Sequence, residues 1–315
     1  MVIASLWVWT NRQLIQDWMI VQRYSAPSEI ATIADKAELS DYGRFMFYAS
    51  EPEISDAATF NTRCDRQEAA TAILGCYSSQ RIFLYRITNK ELEGIEEVTA
   101  AHEMLHAVWQ RLSDGERYHL GELLEKAYEK VKTPELEERM AYYQRRQPGE
   151  MENELHSILG TEAENLSDEL EQHYRKYFKD RHVITAFHSK YQAVFTALEK
   201  KADAIRQELE AEAPKINSAI TAHNAAVDAL NQEIIRHNQR ASTVDRRNSA
   251  AVNAYNAQRI AIQAEQDRLD QEQATLDARR KAYNKRLEEY NALVIRSTTL
   301  TDSIDSFKSQ TNISE

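Results

Sequence analysis

"YNAQRIAIQAEQDRLDQEQATLDARRKAYNKRLEEYNALV", residues 255–294, decides most of the architecture. Tyr255, Ile262, Leu269, Leu276, Tyr283 and Tyr290 recur every seven residues, and the intervening seam positions read as Arg259, Gln266, Gln273, Arg280, Leu287 and Val294. A seven-residue recurrence held this long predicts a coiled coil, here with a partly polar seam. Upstream, Ile216, Ile220, His223, Val227, Leu230 and Ile234 alternate spacings of four and three. Between the two stripes lies "NQRASTVDRRNS", a polar run with several weak helix formers. Two long helices joined there fold back as an antiparallel hairpin. The alternative is one long helix that pairs with another chain. Pro214 is expected to break or kink the first arm.

The rest of the composition agrees with a helical protein. Seven glycines and five prolines in 315 residues leave few turns and breakers. The chain is long enough for one to three domains. Its 39 basic and 50 acidic side chains give a net charge of −11, which argues against nucleic acid as a partner. The two cysteines, Cys64 and Cys76, define no disulfide framework. They bridge in an oxidising compartment and stay free in a reducing one.

Moving toward the N-terminus, residues 91–180 read as helices, with loops near "LSDGER", "VKTPEL" and "RRQPGE" and boundaries at Pro134 and Pro148. Thr161-Glu162-Ala163-Glu164 fits a capping box, so one helix is expected to end at Gly160 and another to start just after it. "ATAILGCYSSQRIFLYRI" reads as a β-hairpin around "SSQ". "SEIATIADKAEL" reads as a helix with Ser28 as its cap. The first nine residues, "MVIASLWVW", include eight apolar ones, too few to span a bilayer. They read as an apolar helix end packed on the domain, or as the remnant of a membrane anchor. The expected division is 1–27, an apolar N-terminal helix; 28–182, an α+β domain; 183–300, the helical hairpin; and 301–315, a flexible tail. The fold class is mainly α with a small β-sheet.

Within the second region, "VTAAHEMLHAVWQRL", residues 98–112, carries the chemistry. On a helix, His102 and His106 are four apart and share a face. Two imidazoles at that spacing hold one zinc ion, and Glu103 is placed beside the metal as a general base. Val98, Ala101, Leu105, Val108 and Leu112 form an apolar stripe that buries the neighbouring face. A catalytic zinc needs a third protein ligand. "GEMENELHSILGTEAENL" offers Glu154 first, then Glu162, Glu152 and His156. The bland reading of each carboxylate is a solvated helix face.

"HEMLH" after a Tyr/Phe/Ile-rich hairpin, followed by a helix offering "NELHSILG", resembles the gluzincin group of zinc metallopeptidases. The resemblance covers residues 28–180 and implies a zincin-like fold. It implies His102, His106 and Glu154 as zinc ligands, Glu103 as general base, and a strand before the motif helix that aligns the substrate. Ile158 stands where a thermolysin-type pattern has an aspartate backing a ligand histidine. The chain also resembles uncharacterised bacterial membrane-anchored proteins with the same motif.

The function so implied is peptide hydrolysis by metal-activated water, with a peptide or protein substrate and the coiled coil as spacer or partner-binding element. Tyr142 and Tyr143 are candidate oxyanion donors. The competing reading is a non-enzymatic coiled-coil adaptor of the cell envelope with a structural or vestigial zinc site. The expected location is the extracytoplasmic face of the envelope, the alternative the cytoplasm. Membrane association through the N-terminus and a coiled-coil partner or homo-oligomer complete the expected contacts.

Overall fold

The computed structural model describes residues 12–64 and 72–311. The anchor reading of the first nine residues lies outside them. The chain divides into two compact units, residues 1–196 with 298–315, and residues 197–297.

The first unit is mainly helical with a small sheet, as expected. Helices α1 (Arg12–Arg23), α2 (Ser28–Lys36) and α3 (Asp41–Tyr48) lead to strand β1 (Glu53–Ser55) and the short α4 (Ala57–Phe60). The expected hairpin follows as β2 (Gly75–Ser78) and β3 (Arg81–Tyr85), turning at Ser79 and Gln80, both at positive φ. The sheet order is β1-β3-β2, with β1 parallel and β2 antiparallel to β3. β1, three residues long, escaped the sequence reading. Among the described residues β2 is an edge strand. Cys64 and Cys76 are joined by a disulfide that ties the segment after α4 to β2.

Helix α5 (Ile95–Arg111) carries the motif and crosses the sheet. Its Val98, Ala101, Leu105 and Val108 are buried, as the stripe requires. α6 (Asp114–Val131) starts from a Ser113–Glu116 capping box. α7 (Pro134–Arg146) begins with Pro134 at its first turn, behind the Thr133 cap. α8 (Met151–Glu162) lies against α5, and α9 (Asp168–Tyr174) starts at the Ser167 cap.

Two local expectations fail. Ser28 is the first helical residue, after Pro27, and makes no side-chain cap. Helix α8 runs through Gly160 to Glu162, and the Thr161 hydroxyl bonds the Ser157 carbonyl inside the helix. Gly160 is there for close approach. A Cβ would lie 2.5 Å from Leu105 Cδ1 and 2.7 Å from Tyr174 Cε1. Packing overrides the stop signal that a glycine gives in isolation.

The two longest helices are α10 (Arg181–Arg240) and α11 (Ser249–Ile304). Within the second unit their contacts identify an antiparallel hairpin. Glu208 pairs with Arg286, Glu212 with Arg279, and His237 stacks on Tyr255 at 4.0 Å between centroids. Partner numbers rise on one arm as they fall on the other. The seven-residue positions from Tyr255 to Tyr290 are all buried or half-buried, and so is the upstream stripe from Ile216 to Ile234. The second seam is different from the one expected. Arg259, Gln266, Gln273, Arg280, Leu287 and Val294 are exposed, and the residues one earlier, Gln258 to Leu293, face inward. Arg279 and Arg286 at these positions reach carboxylates on the other arm. The charged seam thus chose the flank that offers pairing. Pro214 does not break the arm: α10 continues through it. An interior proline costs roughly 3 kcal/mol, and the arm on either side of exposed Pro214 buries Leu209 and Ile216.

Residues 301–311, expected as a flexible tail, are instead largely helical. α11 ends at Ile304 and α12 (Ser306–Thr311) follows, with Ser306 buried and bonded to Asn61 in the first unit.

Candidate metal centre

α5 and α8 bring three metal-ligating groups together. His102 and His106 stand one turn apart on α5, and their Nε2 atoms approach to 3.1 Å. Glu154 Oε2 on α8 lies 3.9 Å from His102 Nε2 and 3.8 Å from His106 Nε2. One ligand atom from each residue falls within 4.8 Å of the others. Among the described residues this is the group of His, Cys, Asp and Glu side chains placed to hold a metal ion.

The donors fit a metal on physical grounds. Glu154 Oε2 is buried and has no hydrogen-bond partner. A buried carboxylate oxygen left so is costly, and a cation beside it would remove the cost. Burial raises the Glu154 pKa, against the opposing pull of His106, Tyr143 and Arg139. Burial holds the His102 pKa well below its usual value, with the neighbouring His106 adding to the effect. A neutral imidazole is what a metal requires. For His106 burial also acts downward, but the charges of Glu154 and Glu103 and the bond to Asn153 outweigh it. Asn153 Oδ1 accepts from His106 Nδ1 at 2.9 Å, so Nε2 keeps its lone pair toward His102 and Glu154. The Ser157 hydroxyl adds a contact to the same Nδ1 at 3.2 Å. Asn153 and Ser157 thus supply the backing that Ile158 cannot.

Glu103 is buried beside the three donors and outside their cluster. Its pKa is pushed up to about 7 by burial, with Glu154 adding to the rise and the Tyr77 backbone N–H, which donates to it, opposing it. β2 presses on it closely. A Cβ on Gly75 would lie 2.7 Å from Thr99 Cγ2 and 2.9 Å from Glu103 Cγ. In the β2–β3 register, Gly75 and Tyr77 sit at the pairs whose backbone groups turn away from β3, toward the open edge.

The site opens into a cavity of about 480 Å³, whose walls include Gly75, Glu103, Arg139, Tyr142, Tyr143 and Tyr191. A second cleft of about 800 Å³ adjoins it and shares Tyr77, His106, Glu150 and Asn153. Tyr143 bonds the Glu154 carboxylate, and its ring lies 5.5 Å from that of Tyr142. Arg139 bonds Glu162 at 2.6 Å, and His188 Nε2 lies 3.5 Å from the same oxygen.

Of the four expected third-ligand candidates, the structure brings Glu154 to the histidines. Glu162 is taken by Arg139 and His188, Glu152 is exposed beside Gly121, and His156 is fully buried with its Nε2 2.8 Å from His173 Nε2. Sequence reasoning missed Asn153, Ser157, Tyr77, Gly75 and Arg139. Asn153 and Ser157 left a signal, two small polar residues four apart flanking Glu154. Tyr77 acts through its backbone and left none. No protein-family model, curated protein or solved structure matches this chain.

Proposed function

We propose that this chain is a zinc-dependent peptidase of the gluzincin type. The observation that carries the reading is the buried Glu103, outside the His102–His106–Glu154 cluster and under the open edge of β2. His102, His106 and Glu154 would hold the ion. A zinc ion there would polarise a carbonyl and acidify water.

The chain's own residues do the rest. A carboxyl held near neutral pH accepts and returns a proton with little penalty either way, which suits Glu103 as a general base. The Tyr77 N–H fixes one of its oxygens. An extended peptide would lie antiparallel along the β2 edge, where the Gly75 backbone groups turn outward and the missing side chain leaves room. Arg139 and Tyr142 on the cavity wall are the donors placed to meet developing negative charge, since Tyr143 is engaged by Glu154.

An adaptor with a structural zinc would close the fourth position with a protein ligand, whereas one with a vestigial site would keep the donors and lack turnover. Three donors gather among the described residues, and a buried carboxyl stands beside them, which favours the peptidase. The Cys64–Cys76 bridge supports an oxidising, extracytoplasmic location.

Glu103→Gln tests the proposal. The variant should bind zinc as the wild type does and lose about 10²–10⁴-fold in hydrolysis of a mixed peptide library read by mass spectrometry. Equal cleavage by both proteins would reject the mechanism. Zinc binding with no cleavage by the wild type would favour the adaptor.

A further inference from the structure

We propose that the outer face of α1, together with the adjoining edge of α3, docks on the surface of a phospholipid bilayer. α1 is an amphipathic helix that turns apolar residues outward. Leu14 is 50% exposed, Trp18 57% and Met19 40%. Leu14 and Trp18 are four apart and share one face. Tyr42 from α3 extends the patch, and Ile15 and Phe45 line the shallow groove between the helices, about 420 Å³ in volume. All five groove residues are apolar or aromatic. A contiguous exposed patch of this kind marks an interaction surface.

Charge identifies the occupant. α1 contains one acidic residue, Asp17, and it is 2% exposed and locked to Arg111 on α5. The helix therefore presents no carboxylate outward, although the chain as a whole carries −11. Arg12 and Arg23 stand at its two ends. An apolar face with a tryptophan, on a helix that ends in arginines and turns no carboxylate outward, suits the boundary between acyl chains and phosphate headgroups, with Asp41 beside Tyr42 as the exposed acid at its α3 edge. The sequence continues in the same sense. The nine residues before Thr10 include eight apolar ones, with Trp7 and Trp9 among them. Among the described residues no helix is long and apolar enough to cross a membrane, so the contact proposed is with the surface. The Asp17–Arg111 pair makes α1 one body with the motif helix, so a docked α1 holds the metal centre at a fixed height above the lipid.

The test is co-sedimentation of the full chain with phosphatidylglycerol/phosphatidylethanolamine vesicles. The wild type should sediment with them. Leu14→Ser with Trp18→Ser should reduce the bound fraction at equal lipid by at least about tenfold, from the lost burial of two large side chains. Ile260→Ser, which removes an exposed isoleucine in the second unit, should change nothing. Brominated acyl chains should quench wild-type tryptophan fluorescence, and Trp18→Phe should lose part of that quenching while the chain still binds. This second reading does not depend on the double variant folding. The proposal is overturned if the wild type stays in the supernatant, if the double variant sediments like the wild type, or if Trp18→Phe leaves the quenching unchanged. A wild-type dimer that the double variant dissociates, with no binding to vesicles, would assign the patch to a second copy instead.

Discussion

Arg111 clamps Asp17 with two hydrogen bonds, 2.9 Å from Nε and 2.8 Å from Nη2, and both side chains are buried. The same guanidinium donates to the Tyr77 hydroxyl at 3.1 Å, and the Tyr77 amide holds Glu103. A chain of direct contacts thus runs from α1 through the end of α5 and the edge strand to the proposed base. Asp17→Ala leaves a buried guanidinium without its partner. It should cost about 3–5 kcal/mol in urea unfolding. Glu210→Ala, which removes an exposed partner of Arg206, should cost less than about 1 kcal/mol by the same measurement.

Gly75→Ala places a methyl group against Thr99 and Glu103. The edge strand must move off α5 or Glu103 must swing away. Stability should fall by about 1–3 kcal/mol. Peptide hydrolysis should fall further than the loss of folded protein explains, because the Tyr77 contact to Glu103 shifts with the strand. Activity measured per folded molecule checks this.

Glu154→Gln should abolish most zinc binding and leave the chain folded. The wild-type melting temperature should rise when zinc is added and fall with a chelator, since a ligand that binds only the folded state stabilises it. The variant's melting temperature should respond to neither. Metal analysis alongside thermal melts gives both readings.

Acid should destabilise the first unit through His173. Burial pushes its pKa down to about 4, against about 6.5 in an unfolded chain. Between these values the unfolded chain binds the extra proton, so stability rises with pH. The contribution is complete above about pH 6.5 and lost progressively toward pH 4, a span of up to roughly 3 kcal/mol. The urea midpoint followed from pH 7 to pH 4 should fall, and His173→Gln should flatten that slope by about one proton.

The fragment 197–297 should be helical on its own, since its two arms bury their stripes against each other. Circular dichroism that is independent of concentration would match the intramolecular hairpin. A random-coil spectrum would reject it.

Much of this was legible in the sequence because it rests on local spacing. The seven-residue recurrence from Tyr255 marked one seam, the stripe from Ile216 marked its partner, and the four-residue spacing put His102 and His106 on one face. The β2–β3 hairpin was legible from two apolar runs around a short polar turn. These patterns are fixed by the geometry of a single helix or hairpin and need no knowledge of the rest of the chain.

Tertiary structure decided everything that depends on two elements meeting. Spacing alone left Glu154, Glu162, Glu152 and His156 as alternatives, and the packing of α8 on α5 brought Glu154 to the histidines. Gly160 reads as a stop in one dimension and serves in three as the place where Leu105 and Tyr174 come close. The second seam of α11 could lie on either flank of the first, and Glu208 and Glu212 on the other arm fixed which. Asn153 backs His106, and the Tyr77 amide holds Glu103, through contacts between elements far apart in sequence. Periodicity gives each helix its apolar face. Only the energy of packing those faces together determines which polar atoms are buried beside one another, and so where the chemistry can occur.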